Sequence, residues 1–128
     1  MANAISNGVG ITVEVMYDAT QSNPLLHDFV FAYCITIENF NPFAVQLLTR
    51  HWFITDSRGV KREVEGAGVV GKQPIIQPGD RFQYISACKL DTEQGKMWGE
   101  YTMKNKNNHQ LFAISIPTFY LEAKFKQN

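Results

Sequence analysis

Apolar and polar residues alternate with a period of two along most of this chain, the signature of half-buried strands rather than of helices. Ile11, Val13, Val15 and Tyr17 alternate with Thr12, Glu14 and Met16, which predicts a strand over 11–17. Phe29, Phe31, Tyr33, Ile35 and Ile37 form one face of a second strand, and the opposite face turns polar toward Thr36 and Glu38, so the aromatic face is expected to point inward. Asn39-Phe40-Asn41-Pro42 ends it. From Val45 to Thr55 the same period continues, with Leu47, Thr49, His51, Phe53 and Thr55 on one face and Leu48, Arg50, Trp52 and Ile54 on the other. Asp56-Ser57-Arg58-Gly59 then supplies a side-chain acceptor followed by a glycine, which predicts a hairpin into a return strand over 60–65.

Further strands are expected over 81–86, 96–104 and 110–116, with a loop from Cys88 to Gly95 and a turn across Asn105–His109. Pro117 is expected to close the strand before it, leaving Thr118–Phe125 as a separate edge strand. About seven short strands without an amphipathic helix argue for an all-β antiparallel sandwich of two sheets, with a small barrel as the alternative. Trp52, Trp98, Phe40 and Phe43 exceed what one such core accommodates, so some of them are expected on the surface, where aromatic residues anchor interfaces.

One motif stands apart from this pattern. Gly66-Ala67-Gly68-Val69-Val70-Gly71 has the glycine spacing of a dinucleotide-binding loop, a loop that works when a helix follows and its N-terminus faces a pyrophosphate. Here Lys72, Gln73 and Pro74 follow. Pro74 lacks an N–H and biases Gln73 away from helical angles, so the segment is expected to stay looped or extended until Pro78-Gly79. Two roles fit such a loop. Gly66, Gly68 and Gly71 could form a nest of backbone N–H groups, with Lys72, Arg50 and Arg62 neutralising a di- or polyphosphate. Alternatively, the glycines supply positive φ and close packing in a crossover, which asks nothing of a ligand.

At 128 residues the chain fits one domain, expected over 1–128 with an ordered core roughly from 9 to 123. Twelve basic and twelve acidic residues cancel, so no electrostatic field collects nucleic acid or anionic lipid. No secretory signal pattern and no run of roughly 20 apolar residues is present, which makes a cytoplasmic location the expectation, with no membrane partner. Cys34 and Cys88, the two cysteines, read as thiols in a reducing compartment.

His51 lacks a second histidine at ligand spacing, and His27 and His109 fall in loops, so no dedicated metal site or cofactor is expected. Asp91 and Glu93 could attract a hard cation, and Asp56 is better placed to cap its turn. Ser57 and Ser86 lack a nucleophile elbow, and neither cysteine has an activating histidine beside it; no catalytic residue emerges, and the expectation is that the protein is not an enzyme.

Leu47–Asp56 (LLTRHWFITD), Glu65–Pro74 (EGAGVVGKQP), Pro78-Gly79 and Leu90–Tyr101 (LDTEQGKMWGEY) occur in an order that resembles the ApaG family, from Val13 to Leu121. The chain departs from that family at Ser86-Ala87-Cys88-Lys89-Leu90, where Ser-Gly-Cys-Pro-Leu is the usual run. The resemblance implies an immunoglobulin/fibronectin type III-like sandwich and no catalysis. The family takes its name from a bacterial gene beside a dinucleoside-tetraphosphate hydrolase, and in eukaryotes the domain is joined to F-box and other adaptor proteins. The expected function is therefore a non-catalytic binding module whose partner is another protein or a second copy of the chain. The alternative is a phosphate-rich nucleotide, such as a dinucleoside tetraphosphate, held at Gly66–Gly71.

Overall fold

In the computed structural model, which describes residues 1–124, alternation becomes nine strands: β1 (Ala2–Ser6), β2 (Val9–Tyr17), β3 (Phe29–Asn39), β4 (Val45–Asp56), β5 (Lys61–Ala67), β6 (Ile75–Ile76), β7 (Arg81–Leu90), β8 (Gln94–Asn105) and β9 (Leu111–Glu122). They form two antiparallel sheets, one ordered β1-β2-β3-β7 and the other β5-β4-β8-β9, with β6 added to β4. The sheets stack face to face as a fibronectin type III-like sandwich. Phe29, Phe31, Tyr33, Ile35 and Ile37 of β3 are buried, as their shared parity demands. Trp52 packs at the centre, its ring 5.6 Å from Tyr33, 5.8 Å from Phe119 and 6.4 Å from Tyr101, each edge-on or nearly so.

Asn39, the buried polar residue at the end of β3, is fully satisfied: Nδ2 donates to the Phe43 and Ile76 carbonyls at 2.8 and 3.0 Å, and Oδ1 accepts from the Asn41 N–H at 3.0 Å. The Asp56 turn forms as expected. Its Oδ1 accepts from the N–H groups of Arg58 (2.8 Å) and Val60 (3.1 Å), and Gly59 takes φ +83°. Partial desolvation works against the charged carboxyl there, but those hydrogen bonds and Arg58 outweigh it and hold the Asp56 pKa below its ordinary value.

Several boundaries differ from the sequence reading, each for a local reason. The period of β4 is broken: its register on β8 shifts between Leu47 and Thr49, so Leu48 is a bulge residue and the buried parity passes from Leu47 to Trp52 and Ile54. Pro117 does not end a strand. It sits where the β8–β9 register shifts, between the pairs Gly99–Ile116 and Met97–Phe119, and the bulge absorbs its missing N–H. β9 therefore runs on to Glu122 at the sheet edge; Phe125, assigned to that edge at the sequence level, lies outside the described residues. β7 continues through Cys88 to Leu90 because Tyr84, Cys88 and Leu90 keep the inward parity that the polar Ser86 obscured. β1 and the two-residue β6 were not foreseen; β1 folds back on β2 through Asn7-Gly8, both at positive φ (+48° and +73°), a two-residue hairpin turn. Of the four surplus aromatics, Trp52 is buried and Phe43 packs against the core, whereas Phe40 is exposed and Trp98 half-buried on an outer face.

Candidate functional site

The sandwich has two lateral margins. Where β1 and β9 lie side by side, Asn7 Nδ2 donates to the Ala113 carbonyl at 2.8 Å, and the Ser115 N–H donates to Ser6 Oγ at 2.9 Å. At the opposite margin β5 and β7, like β1 and β9, each end their own sheet and do not pair with one another. Between them opens a cleft of about 530 Å³, with Trp52 and Met97 at its floor and Arg50, Arg62, Val64 and Val70 among the residues around it.

Both arginines are held by carbonyls rather than by acids. The Arg50 guanidinium lies against Gly66, where an added Cβ would sit 2.9 Å from it, and Nη1 donates to the Ala67 and Gly68 carbonyls at 3.0 and 2.8 Å. Arg62 spans the cleft: Nη2 donates to the Lys89 carbonyl at 2.6 Å and lies 3.3 Å from Cys88 Sγ. Among the described residues neither arginine joins an ion pair, and no carboxylate lines the cleft.

Beneath the arginines lie three phenols. Tyr84 and Tyr101 share a short hydroxyl–hydroxyl hydrogen bond, and Tyr33 bonds with Ser86. Burial raises the pKa of all three, and it raises the Cys88 thiol as well, against the opposing pull of Arg62. The cleft thus presents two guanidinium groups and neutral hydroxyls above an apolar floor. Such a surface accepts carbonyl, carboxylate or phosphate oxygens together with an apolar side chain.

The glycine run reaches this cleft only in part. Gly66 is a residue of β5 paired with Arg50. Gly68, at φ +65°, donates its N–H to the Leu48 carbonyl at 2.8 Å, and Gln73 Nε2 reaches the same oxygen at 2.9 Å, so the β4 bulge is the anchor of the loop. Val69 and Lys72 exchange N–H···O bonds of 2.8 and 2.9 Å around Val70 (φ +44°) and Gly71 (φ +78°), a turn of the kind that needs two left-handed residues. The N–H groups of Gly68, Val69 and Lys72 are therefore directed at protein carbonyls. Of the residues proposed from sequence to hold phosphate, Arg50, Arg62 and Gly71 line the cleft; Gly66, Gly68 and Lys72 do not. The chain after Val70 remains looped and then extended, as Pro74 dictates.

Sequence reasoning missed Tyr33, Tyr84 and Ser86, which the β3–β7 register sets side by side and the stacking of the two sheets brings to the arginines. It also missed the surroundings of His51. That residue lies on the outer face of the second sheet, where Nε2 is 2.9 Å from Glu63 Oε2 and 3.3 Å from Glu65 Oε1. The hairpin signal at Asp56–Gly59 could have placed those acids, since the register it sets puts Glu65 opposite His51 and Glu63 opposite Phe53.

The profile of the ApaG domain family matches residues 19–105. Protein ApaG of Brucella abortus strain S19 is 46% identical over 123 residues, which is 96% of this chain and 94% of that protein. Two solved structures superpose with a TM-score of 0.86: a structural-genomics target determined by X-ray diffraction, 41% identical over 93% of this chain and 89% of its own, and a Bordetella pertussis protein solved under the name ApaA, 38% identical over 89% of this chain and 92% of its own. Among the described residues no helix is long and apolar enough to cross a membrane.

Proposed function

This chain belongs to the ApaG domain family, and from that premise we propose that it is a non-catalytic binding module whose ligand is an extended segment of another protein, docked along the β5–β7 margin. The observation that carries this reading is the pair of unpaired strand edges flanking one cleft. Free edges offer a row of N–H and C=O groups to a further strand, and natural sandwiches either cover such edges or use them for pairing. Val64 and Val70, exposed at this margin, supply apolar contact, and Arg50 and Arg62 supply donors to carbonyl or acidic groups. The absence of an acid from the lining favours a segment bearing carboxylates.

The test is capture of partners from a lysate of the source organism by the full chain. Val64→Lys is expected to reduce capture at least about tenfold, equivalent to about 1.4 kcal/mol. Ile5→Lys, on exposed β1, is expected to leave capture unchanged. Equal capture by both variants would refute docking at this margin.

A second reading rests on Arg50, Arg62 and Gly71 lining the same cleft without a carboxylate: the ligand is a phosphate-rich nucleotide. Calorimetric titration with a nucleoside triphosphate or a dinucleoside tetraphosphate separates the two, because saturable heat that disappears in Arg62→Met supports the nucleotide, and no heat at millimolar concentration removes it.

A further inference from the structure

We propose that His51, Glu63 and Glu65 form a binding site for a divalent late first-row metal cation, with Zn²⁺ as its representative, on the outer face of the second sheet. The three ligand atoms lie within 4.8 Å of one another. His51 Nε2 stands 2.9 Å from Glu63 Oε2 and 3.3 Å from Glu65 Oε1. Metal–ligand bonds of about 2.0–2.2 Å in tetrahedral geometry set neighbouring ligand atoms about 3.3 Å apart, so the side chains already lie near the spacing an ion imposes. The ligand side chains are exposed by 28% (His51), 60% (Glu63) and 68% (Glu65), which leaves the remaining coordination positions to water.

Local charge favours the ion. An imidazole Nε2 carries at most one proton, so it cannot give both carboxylates a full hydrogen bond. His51 is the ion-pair partner that both Glu63 and Glu65 have among the described residues. Glu100 stands directly opposite His51 on β8, adding a third carboxylate at the same level of the sheet. The lysines of this face lie at its two ends: Lys61 and Lys96 both pair with Thr55, with Lys96 5.5 Å above the Trp98 ring, and Lys104 pairs with Gln46. Two like charges close together with a shared, singly protonated neighbour are relieved by replacing that proton with a dication. The metal takes the Nε2 lone pair of the neutral imidazole, and the proton that occupied it leaves to Nδ1 or to solvent.

The ligands are also held in place. Glu63 and Glu65 are two apart on one strand and so share a face, and the β4–β5 register fixes them against His51. The His51 ring stacks on Phe53 at 4.4 Å between centroids, and Phe53 stacks in turn on Trp98 at 5.6 Å. This limits ring rotation and keeps Nε2 aimed between the carboxylates. A nitrogen donor with two carboxylates selects Zn²⁺, Ni²⁺ or Co²⁺ over Mg²⁺ and Ca²⁺.

Calorimetry of the full chain with Zn²⁺ in a non-chelating buffer tests the site, with the His51 ring resonances followed by NMR. One equivalent is expected to bind saturably below millimolar Zn²⁺ with shifts centred on His51. His51→Ala and the paired variant Glu63→Gln/Glu65→Gln are each expected to weaken binding at least about tenfold, while His27→Ala and His109→Ala leave it unchanged. Excess Mg²⁺ is expected not to compete. Melting curves verify that each variant is folded, and the paired Gln variant keeps side-chain shape. The proposal is overturned if wild type shows no saturable uptake below millimolar Zn²⁺, if folded His51→Ala or the folded paired variant binds like wild type, or if Mg²⁺ displaces Zn²⁺.

Discussion

Along the β1–β9 margin the gap between sheets is bridged by short neutral side chains that end on backbone: Asn7 on the Ala113 carbonyl and Ser6 on the Ser115 N–H. Along the β5–β7 margin a single long cation does this, Arg62 reaching the Lys89 carbonyl, with a cleft left open beside it. Short bridges draw the two strands together at the Ser6–Asn7 end of the β1–β9 margin; toward its other end, between Ala2, Val13, Tyr17 and Phe119, the margin opens into a cavity of about 760 Å³. At the β5–β7 margin a long arginine spans the gap and keeps other donors on its fork, above phenols that burial keeps protonated. The first margin is tied by neutral bonds to backbone; the second keeps guanidinium donors beside its cleft.

The largest expected effect that sharpens this contrast is alkaline. Tyr33, Tyr84 and Tyr101 have folded pKa values raised by burial above the ordinary 10.0. Above that pH the unfolded chain releases these protons and the folded chain retains them, so the folded state binds more protons and stability falls as pH rises. Below pH 9 the three phenols contribute no pH dependence. Each contributes a loss of up to about 1.4 kcal/mol per pH unit above 10 until its folded value is reached. Urea unfolding between pH 9 and 11 measures the slope, and Tyr84→Phe is expected to flatten it. The bridging residues Ser6, Asn7 and Ser115 carry no titratable group, so amide exchange should accelerate in β5 and β7 before β1 and β9. Uniform acceleration, or stability flat to pH 11, would break the comparison.

Much of the sandwich was legible because inward parity survives along β2, β3 and β8, and because Asp56 and Gly59 mark their turn chemically. The bulges at Leu48 and near Pro117 were not, since a bulge inserts a residue without changing composition and shows only in the partner's register. That loss mattered for the site: the Leu48 carbonyl is what captures Gly68, turning a nucleotide-like glycine spacing into a loop anchored on protein. The cations of the cleft, Arg50 and Arg62, were visible as residues near the glycines. Their company was not, because Tyr33, Tyr84 and Ser86 come from the other sheet. His51 looked solitary for a different reason: its carboxylate neighbours belong to the same sheet but lie across the β4–β5 hairpin, at positions only the register reveals.

Smaller effects come from the loop and the bridges. Gly68→Val forces a β-branched residue to φ +65° and places Cβ 2.2 Å from the Lys72 carbonyl oxygen. The expected loss is about 2–3 kcal/mol by urea unfolding, and a variant as stable as wild type would mean that the loop beside the open margin is plastic. The smallest pair separates the margins most directly. Asn7→Ala loses the bond to Ala113 and leaves alanine at φ +48°, an expected cost of about 1 kcal/mol with partner capture unchanged. Arg62→Met keeps the apolar stem and loses the bond to Lys89, an expected cost below about 1 kcal/mol, yet partner capture should fall severalfold. Unfolding and capture measured on both variants give opposite orderings if one margin is for closure and the other for binding. If the two orderings coincide, Arg62 is a bridge like Asn7 and the open cleft is only an unfilled seam.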